Sequence, residues 1–202
     1  MTNELPYAAR VCGIFHNIFY PLPNEPLLAS LSQLTAQKLW PRFITSPDMA
    51  LAQIHSSLEK DSLRTIESDF CQLFVAPSSM KAAPWGAIYT DSENLVCGSS
   101  TLAFSQFCQT KQIELNLLQK TAIDHIGLIF AVLAKLFESE DIDGVKTLLS
   151  QHLLPWSHRV IDAINEHAQT DFYKGFANLT EIFLSDWQQK LKITPKEMRL
   201  YK

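Results

Sequence analysis

Hydrophobic residues recur every three or four positions along most of the chain, which is the spacing that places them on one face of an α-helix. The clearest stripe consists of Ile123, Ile126, Phe130, Leu133 and Phe137. This segment is therefore predicted to form a helix at the centre of the core. Further stripes predict helices in the segments 7–19, 27–34, 51–58, 63–74, 103–108, 145–149, 160–164 and 172–187.

Segments without this period separate the stripes. Pro21 follows the first stripe and ends its helix. Residues 77–99 combine prolines, glycines and serines with no helical period, so a long ordered loop is predicted there. No segment alternates hydrophobic and polar residues as a half-buried strand does. The pattern predicts an all-α, compact bundle of roughly nine to twelve helices with no sheet, in a single domain over residues 1–202.

The composition narrows the classes of partner. Hydrophobic residues make up 47% and charged residues 19% of the chain, as in globular proteins. The net charge of -4 disfavours a nucleic-acid partner, because binding to phosphate backbones needs a clustered excess of Lys and Arg. The sequence shows neither a secretory signal nor an apolar window long enough to span a membrane. We therefore expect a cytoplasmic protein that does not insert directly into a membrane.

The usual signatures of catalysis and metal binding are missing. The sequence contains no G-x-G-x-x-G, G-x-x-x-x-G-K-[ST], H-E-x-x-H or G-x-S-x-G motif. No C-x-x-C pair links the cysteines, and the histidines lack the spacing of metal ligands. We therefore expect a protein that is not an enzyme, with no catalytic residues, no metal and no cofactor.

Asp124 and His125 form the most distinctive polar pair. An acid beside an imidazole can bind a cationic group, take part in proton transfer or order a hinge. A structural interpretation is also available, because Thr121 to Asp124 matches the [ST]-x-x-[DE] capping box. In that case Asp124 is the third residue of a helix and only stabilises its positive end. The spacing leaves both interpretations open.

Two further segments are candidates for binding. Trp85 stands between a proline and a glycine, where irregular backbone often lets an indole line an apolar cleft. Residues 98–101 precede or begin a helix, and their backbone N–H groups could hold an anion or serve as an ordinary N-cap. Residues 69–74 group large apolar side chains at helical spacing, which is more often a core than a site.

Several short motifs occur in the order DFCQLF at 69–74, APWG at 83–86, CGSSTLAF at 97–104, DH at 124–125 and HLLPW at 152–156. In this arrangement the chain resembles the TorD/DmsD family of redox-enzyme maturation chaperones, and members of the DmsD type most of all. The resemblance covers most of the chain.

The resemblance implies an all-α cytoplasmic chaperone that binds the twin-arginine signal peptide of a molybdopterin oxidoreductase. The client would be the apo catalytic subunit of a dimethyl sulfoxide or trimethylamine N-oxide reductase, and binding would assist cofactor insertion and delay export. The chaperone would act as a monomer or homodimer. The residues that the resemblance assigns to peptide binding are Tyr20, Phe70, Leu73, Phe74, Pro84, Trp85, Gly86, Asp124 and His125. Asp124 would receive an arginine, and the aromatic residues would accept the apolar part of the signal peptide.

One short segment departs from the family. Its members usually have Glu-Pro-x before Asp-His, whereas this chain has Thr121, Ala122 and Ile123. The resemblance implies a hinge near residues 119–125 between an N-terminal and a C-terminal half, but the proline to which the hinge is ascribed is absent here.

Two other functions compete with peptide binding. In a hydrolase or nucleotide-binding enzyme, His125 would be the base and residues 98–101 would hold phosphate. In a plain helical interaction module, Asp124 would only cap a helix and Trp85 would only pack.

Overall fold

The chain is described by a computed structural model over residues 4–37, 40, 41, 43–76, 80–94, 96–115, 117 and 122–202. Its α-helices are Leu5–Phe19 (α1), Glu25–Ala36 (α2), Asp48–Lys60 (α3), Leu63–Phe70 (α4), Gly86–Thr90 (α5), Ser99–Thr110 (α6), Ile126–Glu138 (α7), Ile142–Leu148 (α8), Leu154–His167 (α9) and Asp171–Leu191 (α10). Two π-helical turns, Cys71–Val75 and Leu149–Leu153, directly continue α4 and α8. Over these ranges helix is the regular structure, and β pairing is limited to one isolated antiparallel bridge. The all-α prediction is confirmed.

The helices begin and end where local chemistry favours it. Asn24 caps α2 with its side-chain oxygen, which accepts the N–H of Leu27 at 3.0 Å. Ser62 caps α4 in the same way through the N–H of Thr65. The first helix ends just before Pro21, as predicted from its sequence.

Two local predictions are wrong. The predicted loop over residues 77–99 contains the short helix α5 in its described part. The helix α7 begins at Ile126, so Ile123 precedes it and Asp124 is not its third residue. Asp124 therefore does not act in a capping box of α7, and its carboxylate bonds instead to two other helices. Thr121, the other half of the proposed capping box, lies outside the described residues.

The chain divides into two compact units. Unit 1 comprises Met1–Tyr20, Pro84–Arg159 and Leu191–Lys202, and unit 2 comprises Pro21–Ala83 and Val160–Lys190. Residues 119–121 of the proposed hinge lie outside the described residues, so the hinge stays a prediction.

The core of unit 1 is built by α1 against α7. Phe15 of α1 is fully buried, and its ring lies 5.0 Å from that of Phe130 of α7. The two helices lie close together at Gly127, where an added Cβ would lie 2.8 Å from the Cβ of Tyr20 and 3.0 Å from its backbone nitrogen. A side chain there would displace backbone, so glycine permits this close packing.

The core of unit 2 is centred on α10. Phe172 and Phe176 are fully buried with their ring centroids 5.0 Å apart. Asp69, at the end of α4, is 1% exposed and accepts the N–H groups of Gln169 and Thr170 and the hydroxyl of Thr170. Because these groups lie just before α10, Asp69 fixes where that helix begins.

Candidate functional site

Two segments that are distant in sequence lie side by side in unit 1. Trp85 and His125 form the antiparallel bridge. The N–H of Ile126 donates to the carbonyl of Pro84 at 2.7 Å, and the N–H of Gly86 donates to the carbonyl of Asp124 at 3.1 Å. These backbone bonds bring the Pro-Trp-Gly and Asp-His sequences together, as a common site requires.

The carboxylate of Asp124 ties together the beginnings of two helices. It is 2% exposed, and its Oδ2 accepts the N–H of Ala87 in α5 at 2.8 Å and the hydroxyl of Ser100 at 3.0 Å. Its Oδ1 accepts the hydroxyl of Thr101 at 2.9 Å. Ser100 and Thr101 belong to the first turn of α6, where a negative charge is favourable. Asp124 thus joins α5 and α6 around a buried charge.

Asp124 also lines a cavity of about 390 Å³ in unit 1. A carboxylate offers about four lone-pair sites. The three internal bonds leave capacity on Oδ1 for a further donor, so an incoming arginine would meet this oxygen through a single N–H. The other residues that line the cavity are Thr90, Ser99, Ser100, Ala103, Phe104, Gln151, His152, Trp156, Lys196, Met198, Arg199 and Tyr201.

His125 is the N-cap residue of α7. Its Nδ1 accepts the N–H of Gly127 at 3.1 Å, which leaves the proton on Nε2. Burial lowers the pKa of His125 to about 3, and the nearby His16 contributes to the decrease. Its ring lies between those of Tyr20 and Trp85, with centroids 5.2 and 5.4 Å away. The imidazole is neutral at pH 7 and acts as a structural cap.

This geometry does not favour the hydrolytic alternative. A base needs a free lone pair, whereas Nδ1 of His125 already accepts the N–H of Gly127. The beginning of α6 bonds to the carboxylate of Asp124 through two hydroxyl groups, so a phosphate there would meet a negative charge. Residues 98–101 therefore serve as an ordinary helix start.

Tyr20 lies at the end of α1 against the same site. Its ring stacks on that of His16 at 5.6 Å, and Nδ1 of His16 lies 2.9 Å from the carbonyl of Gly127. The hydroxyl oxygen of Tyr20 is buried without a hydrogen-bond partner among the described residues. Because a buried hydroxyl usually has a partner, this oxygen is a candidate contact for a ligand.

Gly86 permits a close contact that the sequence did not reveal. A Cβ at this position would lie 2.8 Å from the ring of Trp156, whose Nε1–H donates to the carbonyl of His152 at 2.7 Å. The ring of Trp156 also stacks on that of Tyr89 in α5. The sequence placed Trp156 in a family motif but did not assign it to the site.

Three predicted site residues belong to the other unit. Phe70, Leu73 and Phe74 of unit 2 are at most 4% exposed. The rings of Phe70 and Phe74 lie 5.3 Å apart, and that of Phe74 lies 5.6 Å from Tyr173. All three are core residues of unit 2, so direct contact with a peptide would require local opening. Their assignment to peptide binding stays a prediction.

The described residues contain neither a cluster of metal ligands nor a helix that could span a membrane. No group of three or more His, Cys, Asp or Glu side chains there is arranged to hold a metal ion. Within the same part of the chain, every helix is either too short or too polar to cross a membrane.

Several known proteins are similar to this chain in sequence. A sequence model of the family described as nitrate reductase delta subunit matches residues 43–162. The Tat proofreading chaperone DmsD of Salmonella typhimurium is 29% identical over 191 residues, which cover 95% of this chain and 92% of that protein. A Haemophilus influenzae protein named "Probable Tat proofreading chaperone DmsD" is 30% identical over 204 residues, which cover 100% of both chains.

The fold is shared with a solved structure. The crystal structure of an Archaeoglobus fulgidus protein described as a "Putative Redox Enzyme Maturation Protein" matches with a TM-score of 0.58 and 17% identity, over 88% of this chain and 93% of that chain. The chain thus belongs to the nitrate reductase delta subunit family. Within it, the chain is a member of the TorD/DmsD group of redox-enzyme maturation chaperones, so the resemblance inferred from the motifs is confirmed.

Proposed function

We propose that this chaperone binds the twin-arginine signal peptide of a molybdopterin oxidoreductase catalytic subunit, with Asp124 as the contact for an arginine. The observation that carries the proposal is the position of Asp124 on the wall of the cavity, in a chain whose relatives are named Tat proofreading chaperones. The client is a reductase of the dimethyl sulfoxide or trimethylamine N-oxide type. Binding in the cytoplasm holds the apo subunit for cofactor insertion and delays its export.

The chemistry of the cavity suits the signal peptide. A twin-arginine leader offers two guanidinium groups followed by an apolar stretch. A partly desolvated carboxylate makes charge-assisted hydrogen bonds to a guanidinium. The cavity also presents the rings of Phe104 and Trp156, which suit apolar side chains. Trp85 and Tyr20 beside His125 extend the aromatic surface that the family resemblance assigns to the peptide.

Isothermal titration calorimetry with synthetic twin-arginine leaders from the organism's own molybdoenzymes tests the proposal. We expect Asp124→Asn to weaken binding about tenfold or more, because it removes the charge from a hydrogen bond to arginine. Asp143→Asn is the matched control, since it changes the net charge equally at an exposed position of unit 1. It should bind as the wild type does.

A double-mutant cycle separates a direct contact from a structural effect of Asp124. A leader with both arginines replaced by lysine loses the planar donors of guanidinium. Compared with the arginine leader, the lysine leader should bind the wild type more weakly. The same replacement should cost much less affinity for Asp124→Asn. Equal losses on both proteins would remove Asp124 from the site. Failure of the wild type to bind any leader would contradict the proposed function and favour the plain interaction module.

A further inference from the structure

The C-terminal segment, residues 193–202, lies on unit 1 without helical structure after α10. Lys192, with φ of 51°, turns the chain out of the helix. The segment is attached by two backbone hydrogen bonds. The N–H of Lys196 donates to the carbonyl of Ser150 at 2.8 Å, and the N–H of Tyr201 donates to that of Tyr89 at 2.9 Å.

This segment forms one wall of the Asp124 cavity. Lys196, Met198, Arg199 and Tyr201 all line it. The guanidinium carbon of Arg199 lies 5.1 Å from the ring centroid of Tyr201. No carboxylate among the described residues forms an ion pair with Lys196 or Arg199. Two basic side chains therefore border a cavity that also contains a buried carboxylate.

We propose that the C-terminal segment is a resident ligand of a site for extended basic peptides, and that a signal peptide must displace it from the Asp124 cavity. The inference rests on the proposed function and names a regulator of the same site. The sequence Arg199-Leu200-Tyr201 places a cation before apolar side chains, which is the order of a twin-arginine leader. The same cavity surface can therefore accept either chain.

The attachment is weak enough to be reversed. Lys196 and Arg199 are exposed, Tyr201 is 42% exposed, and Met198 is half-buried. Among the described residues, the donors to the carboxylate of Asp124 are Ala87, Ser100 and Thr101, so none of them belongs to the segment. By contrast, Ile193 is 9% exposed and anchors the start of the segment. Displacement would thus begin beyond Ile193 and leave the core of unit 1 intact.

While the C-terminal segment occupies the cavity, the leader cannot bind there. The apparent affinity for the leader therefore decreases as the fraction of molecules with a bound segment increases. In the protein of 202 residues, Tyr201→Pro removes the N–H that bonds to Tyr89 and loosens the segment. We expect the synthetic leader to bind Tyr201→Pro about three- to tenfold more tightly than the wild type. Lys202→Pro is the matched control, and it should bind as the wild type does.

Two further measurements follow the segment itself. A peptide of residues 193–202, added in trans, should compete with the leader for Tyr201→Pro. Hydrogen exchange of wild-type residues 196–201 should become several-fold faster when the leader binds. Circular dichroism of each variant tests whether its helix content is unchanged.

The outcomes separate the two proposals. Suppose that the leader binds the wild type, but Tyr201→Pro gains no affinity and exchange in residues 196–201 stays constant. The segment is then not a competitor, while the proposed function stands. If no leader binds either protein, both the proposed function and the competition are wrong. Tighter binding by both proline variants would contradict the specific role of the bond to Tyr89.

Discussion

Each unit contains a buried aspartate that bonds to groups at helix starts, but the two differ in what surrounds the carboxylate. In unit 2, Asp69 accepts two backbone N–H groups and one hydroxyl, all from the residues just before α10. In unit 1, Asp124 accepts one backbone N–H and two hydroxyl groups, from two different helices, and also lines a cavity. The buried carboxylate of unit 2 thus stabilises one helix start. The buried carboxylate of unit 1 stabilises two helix starts and also borders a candidate ligand site.

The kind of donor explains why the second aspartate can also serve a ligand. Backbone N–H groups are fixed by the helix and cannot turn to another acceptor, whereas hydroxyl groups rotate. Ser100 and Thr101 can both reorient when an arginine approaches Asp124, whereas the hydroxyl of Thr170 is the one rotatable group among the donors named for Asp69. Four experiments test which interactions stabilise the two units.

Asp69→Ala should have the largest effect on stability. It leaves the buried N–H and hydroxyl of Thr170 and the part-buried N–H of Gln169 without their acceptor, so we expect a loss of about 3 to 4 kcal/mol in the free energy of unfolding. Urea denaturation followed by circular dichroism measures it. Asp162→Ala, at an exposed position of α9, is the control and should change stability by less than about 0.5 kcal/mol. Equal stability of the two variants would contradict the structural role of Asp69.

Asp124→Ala should cost less, about 2 to 3 kcal/mol, because the hydroxyls of Ser100 and Thr101 can turn toward water in the cavity. The same denaturation experiment compares it with Asp69→Ala. A larger loss for Asp124→Ala than for Asp69→Ala would show that rotatable donors do not reduce the free-energy cost of removing the buried carboxylate. The distinction between the two carboxylates would then fail.

Acid should destabilise unit 1 through His125. Because burial lowers the pKa of His125 to about 3, the unfolded chain binds a proton more readily than the folded one below the ordinary pKa of about 6.5. Stability is complete above pH 6.5 and decreases as the pH falls toward 3. Between pH 7 and pH 5 we expect a loss of about 2 kcal/mol from this group.

His125→Asn provides the control for this pH dependence. Asparagine can still cap α7 but does not titrate, so urea denaturation at pH 7, 6 and 5 should show a much flatter profile. Burial lowers the pKa of His152 to about 4, and Lys196 contributes to the decrease. His152 therefore retains part of the pH dependence of stability in this variant. Identical profiles for wild type and His125→Asn would contradict the assignment.

Gly127→Ala should have the smallest destabilising effect of the four, about 1 to 2 kcal/mol, because the new Cβ meets Tyr20 at 2.8 Å. Gly13 of α1 is the matched control, since nothing lies within 4 Å of a Cβ there. Gly13→Ala should instead stabilise the protein by about 0.5 to 1 kcal/mol through helix propensity. Thermal unfolding of both variants gives the comparison, and a stabilising Gly127→Ala would exclude the close approach.

The long helices could be predicted because their signal is local. The stripes of α7 and α10 repeat at the helical period over many residues, and the prolines that end α1 act on neighbouring backbone. The short helix α5 could not be predicted in this way. It has five residues, and its first turn is held by the carboxylate of Asp124 and by packing on Trp156.

Spacing and the ordered motifs led to different predictions for the candidate site. Spacing suggested a capping box at Asp124, and the structure shows His125 as the cap instead. The family resemblance grouped Tyr20, Trp85 and His125, and the rings of Tyr20 and Trp85 both lie against that of His125 in unit 1, while their role in peptide binding stays a prediction. The partners of Asp124 in α5 and α6 stand more than 20 positions away, and no local pattern identifies contacts at that separation.

The helical class, most of the helices and the chaperone family follow from the sequence, because periodicity and short motifs are properties of neighbouring residues. Three features depend instead on the packing of distant segments: Asp124 bonds to the starts of α5 and α6, Phe70, Leu73 and Phe74 are buried, and the C-terminal segment lines the cavity. The physical reason is that burial, hydrogen-bond partners and the pKa of His125 depend on which distant surfaces pack together.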